Sequence, residues 1–277
     1  MLVPRCATLA AAAAAAAAVL LSGALAGAEQ VVFSAAAGPA DRCPADVESC
    51  GRTAVDACCS PLNGLLVLAQ QWDPRWGPAD AFTMHGLWPD TCDGKQLPDA
   101  GCDRTRAYAN ITGILAAAPD PRVLRDMTAF WPSNKGDNDW FWTHEWVKHG
   151  TCVSTLHPRC YAPGAYAPHR EVADYFAAAL ALRAKYDVFA ALNASGIVPT
   201  APESGRRPKN TYSLAQFKRA IFDAWGVEPN VKCRGSRLQE VWLWFKVRGR
   251  DSYYPVQPWG SDSCRRISYQ RKIRPTA

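Results

Sequence analysis

Histidine is scarce in this chain, with five in 277 residues. No two cysteines form a Cys-x-x-Cys pair and no histidine knuckle accompanies them, so the sequence carries no zinc-site signature. The Gly-x-Ser-x-Gly elbow of serine hydrolases is also missing. Beyond the N-terminal segment no apolar run is long enough to span a bilayer, and no internal repeat divides the chain. Nor is the charge extreme. The formal net charge is +6, and without Arg5 the balance is 30 basic to 25 acidic residues. A mildly basic surface admits a polyanionic partner without requiring one.

What is present points to an exported globular protein. Hydrophobic residues make up 48% and charged residues 20%, ordinary values for a chain that buries a core. Eleven tryptophans argue for a substantial core or for aromatic binding surfaces. Residues 1–28 read as a signal peptide. Arg5 gives a positive start, an Ala/Leu/Val-rich run extends from Leu9 to about Leu25, and Ala26–Ala28 supplies small residues for cleavage. An uncleaved anchor is the competing reading. The mature chain, 29–277, is expected to be soluble and secreted, with a vacuolar or lysosome-like lumen as the alternative destination. With Cys6 in the signal segment, ten cysteines remain: Cys43, Cys50, Cys58, Cys59, Cys92, Cys102, Cys152, Cys160, Cys233 and Cys264. An even number in an exported chain reads as a disulfide framework, each bridge contributing about 2–4 kcal/mol. The sequons Asn110-Ile-Thr and Asn193-Ala-Ser fit the same route.

Apolar runs predict strands over Gly64–Trp72 and Ala81–Pro89, and alternation predicts another over Val241–Val247. Helical spacing covers Arg104–Ala118, a stretch opening at Pro121, and Glu171–Leu192, the strongest pattern. Ser213–Trp225 reads as a capped helix stopped by Gly226. Val31–Ala40 reads as a loose lead, Pro199–Pro208 as a loop and Arg265–Ala277 as a basic surface tail. Strands and helices without regular βαβ spacing imply one α+β domain, an antiparallel sheet with packed helices, stapled by five disulfides.

The densest chemistry lies in Trp140–Cys152, Trp-Phe-Trp-Thr-His-Glu-Trp-Val-Lys-His-Gly-Thr-Cys. As a helix at about 100° per residue, it places His144, Glu145, Lys148 and His149 within one arc of roughly 140°. Trp146 and Val147 point away toward a core, and Gly150 provides the stop. A solvated charged face is the bland alternative, but four ionisable groups including two histidines favour a site. The metalloprotease pattern needs His-Glu-x-x-His. Here the second histidine stands five places on, where the two rings diverge by about 140°, a poor clamp for one ion. What remains is acid–base chemistry at a phosphodiester. RNA carries its own nucleophile, the 2′-hydroxyl. Two imidazoles can hold opposite protonation states at mildly acidic pH, with Lys148 as the charge for the phosphorane.

Phe82-Thr-Met-His-Gly-Leu-Trp-Pro89 and Phe141–Cys152 together resemble the two active-site segments of the ribonuclease T-two family of secreted acid endoribonucleases. The resemblance extends from Cys43 to Cys264 and includes the ten cysteines of the fungal branch. It implies the pairing Cys43–Cys59, Cys50–Cys92, Cys58–Cys160, Cys102–Cys152 and Cys233–Cys264. It further implies His149 as base, His85 as acid, His144 as phosphate holder, and Glu145 with Lys148 as the transition-state pair. Trp88 and Asp90 match a first base site; Gln71, Pro132, Ser133, Asn134 and Phe141 match a second. Gln96 stands where fungal relatives often carry a tyrosine, which implies weaker stacking, and Lys135 replaces a glutamine. The activity so implied is cleavage of single-stranded RNA through 2′,3′-cyclic phosphates to 3′-phosphates, with low base specificity, by a monomer without metal or cofactor. A non-catalytic secreted binding protein on the same fold is the alternative.

Overall fold

In the computed structural model the described residues are 43–273, except 45, 52–54 and 202–210. The signal segment 1–28, the lead Val31–Ala40, most of the Pro199–Pro208 loop and the last four residues lie outside them.

The chain enters the sheet at β1 (Leu65–Gln71), a continuous apolar run with every residue buried. Such a run suits a strand covered on both faces. It is flanked by β2 (Thr83–Asp90) on one side and by the long β5 (Arg237–Arg248) on the other, both antiparallel. Between them come α1 (Ile111–Ala116), α2 (Arg122–Phe130), α3 (Asn138–Lys148), α4 (Arg170–Lys185), α5 (Val188–Ala194), the short β3 (Tyr212–Ser213), α6 (Leu214–Trp225) and β4 (Asn230–Arg234). On its far side β5 pairs with β4 through its first half and with β6 (Ser252–Val256) through its second. The result is one five-stranded antiparallel sheet, with β3 and β7 (Arg266–Ile267) forming a small second pair. The expected α+β domain is found, and all five disulfides have the expected partners.

The helices cover one face of the sheet. Leu66, Leu68, Met84, Leu243 and Phe245 point into that core, among Trp131, Trp142, Trp146 and Phe176. The opposite face carries only a small cluster, Leu65, Val67, Ala69 and Trp244, with Trp88 and Trp242 packed beside it. This thinly covered face leaves room for a site. Buried tryptophans fix the helices to particular carbonyls: Trp142 Nε1 donates to Trp131 O at 2.8 Å and Trp146 Nε1 to Arg106 O at 2.6 Å. Helix α4 holds β2 directly, with Tyr175 Oη donating to Leu87 O at 2.8 Å and Arg183 Nε to Phe82 O at 2.9 Å.

Three expectations need correction. Arg104–Ala118 is not one helix; a 3₁₀ turn at Arg104–Arg106 is separated from α1 by Asn110 in the left-handed region, φ 58°. The long pattern Glu171–Leu192 breaks into α4 and α5, because the side chain of Asp187 caps the new helix by accepting from Ala190 N. The C-terminal segment is not a surface tail. Ile267 and Tyr269 are fully buried, and Trp72 Nε1 donates to Gln270 O at 2.7 Å. Buried Lys272 donates to Trp76 O and Ala81 O while lying 4.5 Å above the Trp72 ring. The basic composition masked this packing, because an aliphatic stem can be buried while its head finds carbonyls.

Tyr269→Ala should therefore cost about 3–5 kcal/mol in urea denaturation, as for other large aromatic truncations in cores. A cost below about 0.5 kcal/mol, the range of surface substitutions, would return the segment to the status of a tail.

Candidate active site

Strand β2 supplies the first half of the site through an irregularity. The β1–β2 register runs Ala69↔Gly86 and then Gln70↔Met84, so His85 is the extra residue of a bulge. Residues three apart on a regular strand face opposite sides. The bulge brings His85 and Trp88 onto one face, their rings 4.8 Å apart and nearly perpendicular. Trp131 Nε1 donates to His85 O at 2.9 Å and holds the distortion. A Cβ on Gly86 would run into both Trp88 Nε1 and the Glu145 carboxylate, so only glycine permits this approach.

Helix α3 supplies the second half. Asp137 caps it by accepting from Trp140 N, and the indole anchors described above fix its rotation. His144 is exposed, Glu145 is buried, and Lys148 and His149 are half-buried. Glu145 Oε2 accepts from Trp88 Nε1 at 2.9 Å. Its Oε1 has no hydrogen-bond partner among the described residues and lies 4.0 Å from His85 Nε2. His149 is the C-cap, with φ −114° and ψ −49°, and its N–H still donates to Glu145 O at 3.1 Å. Its ring stacks on Trp88 at 5.4 Å, and the disulfide Cys102–Cys152 closes three residues later.

One expectation is overturned. The divergence inferred for two histidines five apart follows backbone directions and leaves out the reach of the side chains. Donor atoms of His144, Glu145 and His149 instead lie within 4.8 Å of one another, so three converging groups could hold a cation or surround a phosphate. The charge of Lys148 acts on both histidines and opposes their protonation. The ammonium itself pairs with Asp99 at 2.6 Å and makes no ion pair with Glu145.

The imidazoles sit in unlike environments. Burial opposes a charge on His85, but the hydrogen bond to Glu240 and the nearby Glu145 outweigh it and raise its pKa. Burial drives His149 well below the usual imidazole value, assisted by Lys148, His144 and His85. His144 is lowered too, by burial and then by Lys148. Burial pushes Glu145 up to about 7, against the pull of His85 and the Trp88 hydrogen bond.

The residues matched to two base sites fall on two sides of His85. Gln71, Ser133, Asn134 and Phe141 line a groove of about 710 Å³ whose inner wall includes His85 and His144. Pro132 is buried beside Ser133. Trp88 and Asp90 do not line that groove; Asp90 is buried at the end of β2, where desolvation lifts its carboxyl to about 6. Gln96 is exposed in the following loop. Lys135 lies over the ring of the exposed Trp140 at 4.6 Å, at the groove's edge.

Sequence reasoning missed Glu240. Its Oε1 accepts from His85 Nδ1 at 2.7 Å, while Oε2 accepts from Trp242 Nε1. The alternating pattern marked a strand only from Val241, and nothing in the sequence links positions 155 residues apart. A carboxylate that fixes one ring nitrogen sets which nitrogen faces the site.

A bulged edge strand and a helix end that bring histidines together around one tryptophan define an α+β protein with a histidine-lined candidate site. The family follows from sequence: the model of the Ribonuclease T2 family matches residues 57–266, and the chain belongs to that family. Ribonuclease Rh of Rhizopus niveus is 41% identical over 226 residues, covering 81% of this chain and 90% of the relative. Ribonuclease T2 of Aspergillus oryzae is 40% identical over 232 residues, covering 80% of each. The crystal structure of Actibind, a T2 ribonuclease, superposes with a TM-score of 0.75 at 34% identity over 83% of this chain and 98% of that one.

Glu240→Gln should lower kcat by roughly 10–100-fold, the worth of a hydrogen bond to a charged group. Because the carboxylate raises the His85 pKa, its loss should also move the alkaline limb of the pH–rate profile to lower pH. An unmoved limb would make Glu240 merely structural.

Proposed function

We propose that the protein is a secreted endoribonuclease that cleaves single-stranded RNA by metal-independent transphosphorylation, acting as a monomer. Its relatives are named ribonucleases at about 40% identity over most of the chain. The observation that carries the mechanism is the placing of two imidazoles against Trp88, His85 edge-on at 4.8 Å and His149 stacked at 5.4 Å; burial favours neutral His149, while Glu240 and Glu145 favour charged His85. Neutral His149 takes the 2′-hydroxyl proton as that oxygen attacks phosphorus. Charged His85 gives its proton to the departing 5′-oxygen, leaving a 2′,3′-cyclic phosphate. In the second step the roles reverse: His85 takes a proton from water, water attacks phosphorus, and His149 protonates the 2′-oxygen to leave a 3′-phosphate.

His144 holds the phosphate from the exposed side. Glu145, protonated below about 7, donates from its unpartnered oxygen to the phosphoryl group, and Lys148 leaves Asp99 for the anion. Trp88 and Asp90 receive the upstream base; Gln71, Pro132, Ser133, Asn134 and Phe141 receive the downstream one. Unstacked bases are needed to occupy two such sites, which favours single strands. The signal peptide 1–28 directs export, and glycans attach at Asn110 and Asn193, both exposed.

RNA incubated with the mature protein and excess chelator should still yield 2′,3′-cyclic ends; loss of cleavage on chelation alone would restore a metal at His144, Glu145 and His149. His85→Phe and His149→Phe should each lower turnover by at least about 10²–10⁴-fold, the worth of a positioned acid or base, with unchanged circular dichroism. Near-normal activity in either would end the role assignment. The rate should fall as pH rises through the elevated His85 pKa, since the acid is then lost, and fall at the acidic extreme as His149 protonates. A rate climbing steadily into alkali would contradict both roles.

A further inference from the structure

The groove that takes the downstream base does not end there. Its lining also includes Arg234 and Arg237 of the β4–β5 hairpin. These two residues are directly paired across the hairpin, separated by Gly235 and Ser236. Both are exposed, and neither has a carboxylate within ion-pair distance among the described residues. Like charges directly opposed on neighbouring strands are destabilising, and a bound anion would relieve that cost. Arg75, also on the groove, differs: Asp73 holds it through two nitrogens. The pair is rigidly placed. Cys233–Cys264 closes beside it, Leu238 N donates to Ser268 O, and Ser268 N donates to Ser236 O.

Direction follows from what else lines the groove. His85, the proposed proton donor to the leaving oxygen, is there, as are Gln71, Ser133, Asn134 and Phe141; His149, Trp88 and Asp90 are not. A strand running along the groove is thus the one that departs, 3′ of the cut.

We propose that Arg234 and Arg237 form a phosphate-binding subsite for RNA extending 3′ beyond the leaving nucleotide, making the protein more active on longer strands than on dinucleotides. Two exposed guanidiniums suit a phosphodiester, which accepts paired N–H donors. This subsite rests on the cleavage reading above, since that reading sets the strand's polarity.

The test compares kcat/KM for a dinucleoside phosphate, the same dinucleotide extended by three residues on its 3′ side, and one extended equally on its 5′ side. The wild type should prefer the 3′-extended substrate. Arg234→Ala/Arg237→Ala should cut the ratio of 3′-extended to dinucleotide about tenfold, the worth of charged hydrogen bonds discounted for exposure. It should also flatten the salt dependence on the 3′-extended substrate, by about 0.7 in log–log slope per phosphate released. Arg234→Lys/Arg237→Lys should retain most of that slope. An unchanged ratio, or an equal fall for all three substrates, overturns the subsite. Binding of the 3′-extended strand with 2′-deoxyribose at the cleaved position is measured alongside. If the wild type cleaves nothing, the catalytic reading fails, and this binding decides the subsite alone: weakening by the double alanine variant supports it, no weakening overturns it.

Discussion

In a regular strand His85 and Trp88 would point to opposite faces of the sheet, one into the helical core and one to solvent. The single extra residue in β2 removes that parity. It places both rings on the thinly covered face, where α3 can present Glu145 and His149 to them. The distortion is held by a hydrogen bond from Trp131 to the His85 carbonyl and made possible by the absence of a side chain at Gly86. Every other feature of the site, from the Glu240 hydrogen bond to the stacking of His149 on Trp88, presupposes it.

The surrounding frame keeps this arrangement from relaxing. Cys50–Cys92 closes two residues past Asp90, and Cys102–Cys152 three residues past His149, so each segment is tied off just beyond its last candidate site residue. In the loop-entropy view, closures of 42 and 50 residues each contribute about 4 kcal/mol. The buried tryptophans add direction, because an indole that must find a carbonyl for its N–H has few acceptable poses. The C-terminal strap belongs to the same frame, running beneath Trp72 and behind the β4–β5 hairpin.

Chemically equivalent groups acquire different tasks from placement alone. His85 is half-buried between two carboxylates, and attraction wins over desolvation. His149 is half-buried beside a lysine and two other histidines, and both effects act in the same sense. Glu145 and Glu240 divide similarly: the first is wholly buried with one oxygen unpaired and is raised, while the second has both oxygens hydrogen-bonded and is lowered despite its burial. These contrasts bias the two imidazoles beside Trp88 in opposite directions, His85 toward the charged form and His149 toward the neutral one.

Much was legible along the chain because it depends on local order. The two active-site segments, the strands at β1 and β2, the capped helix α6 and the cysteines are written in contiguous residues. Their periodicity and capping chemistry are set within a few positions. The cysteine pairing came from family resemblance, not from spacing. Tertiary structure alone decided the rest. The ligand atoms of His149 and His144 converge through the reach of their side chains at the helix end, which 100° per residue does not report. Glu240 meets His85 through the register of β1 with β5. The terminal strap is buried because Trp72 and two carbonyls accept Lys272. Periodicity reports which face a residue takes within its own element; it cannot report a residue inserted into a strand, the reach of side chains at a helix end, or a partner brought in by strand pairing.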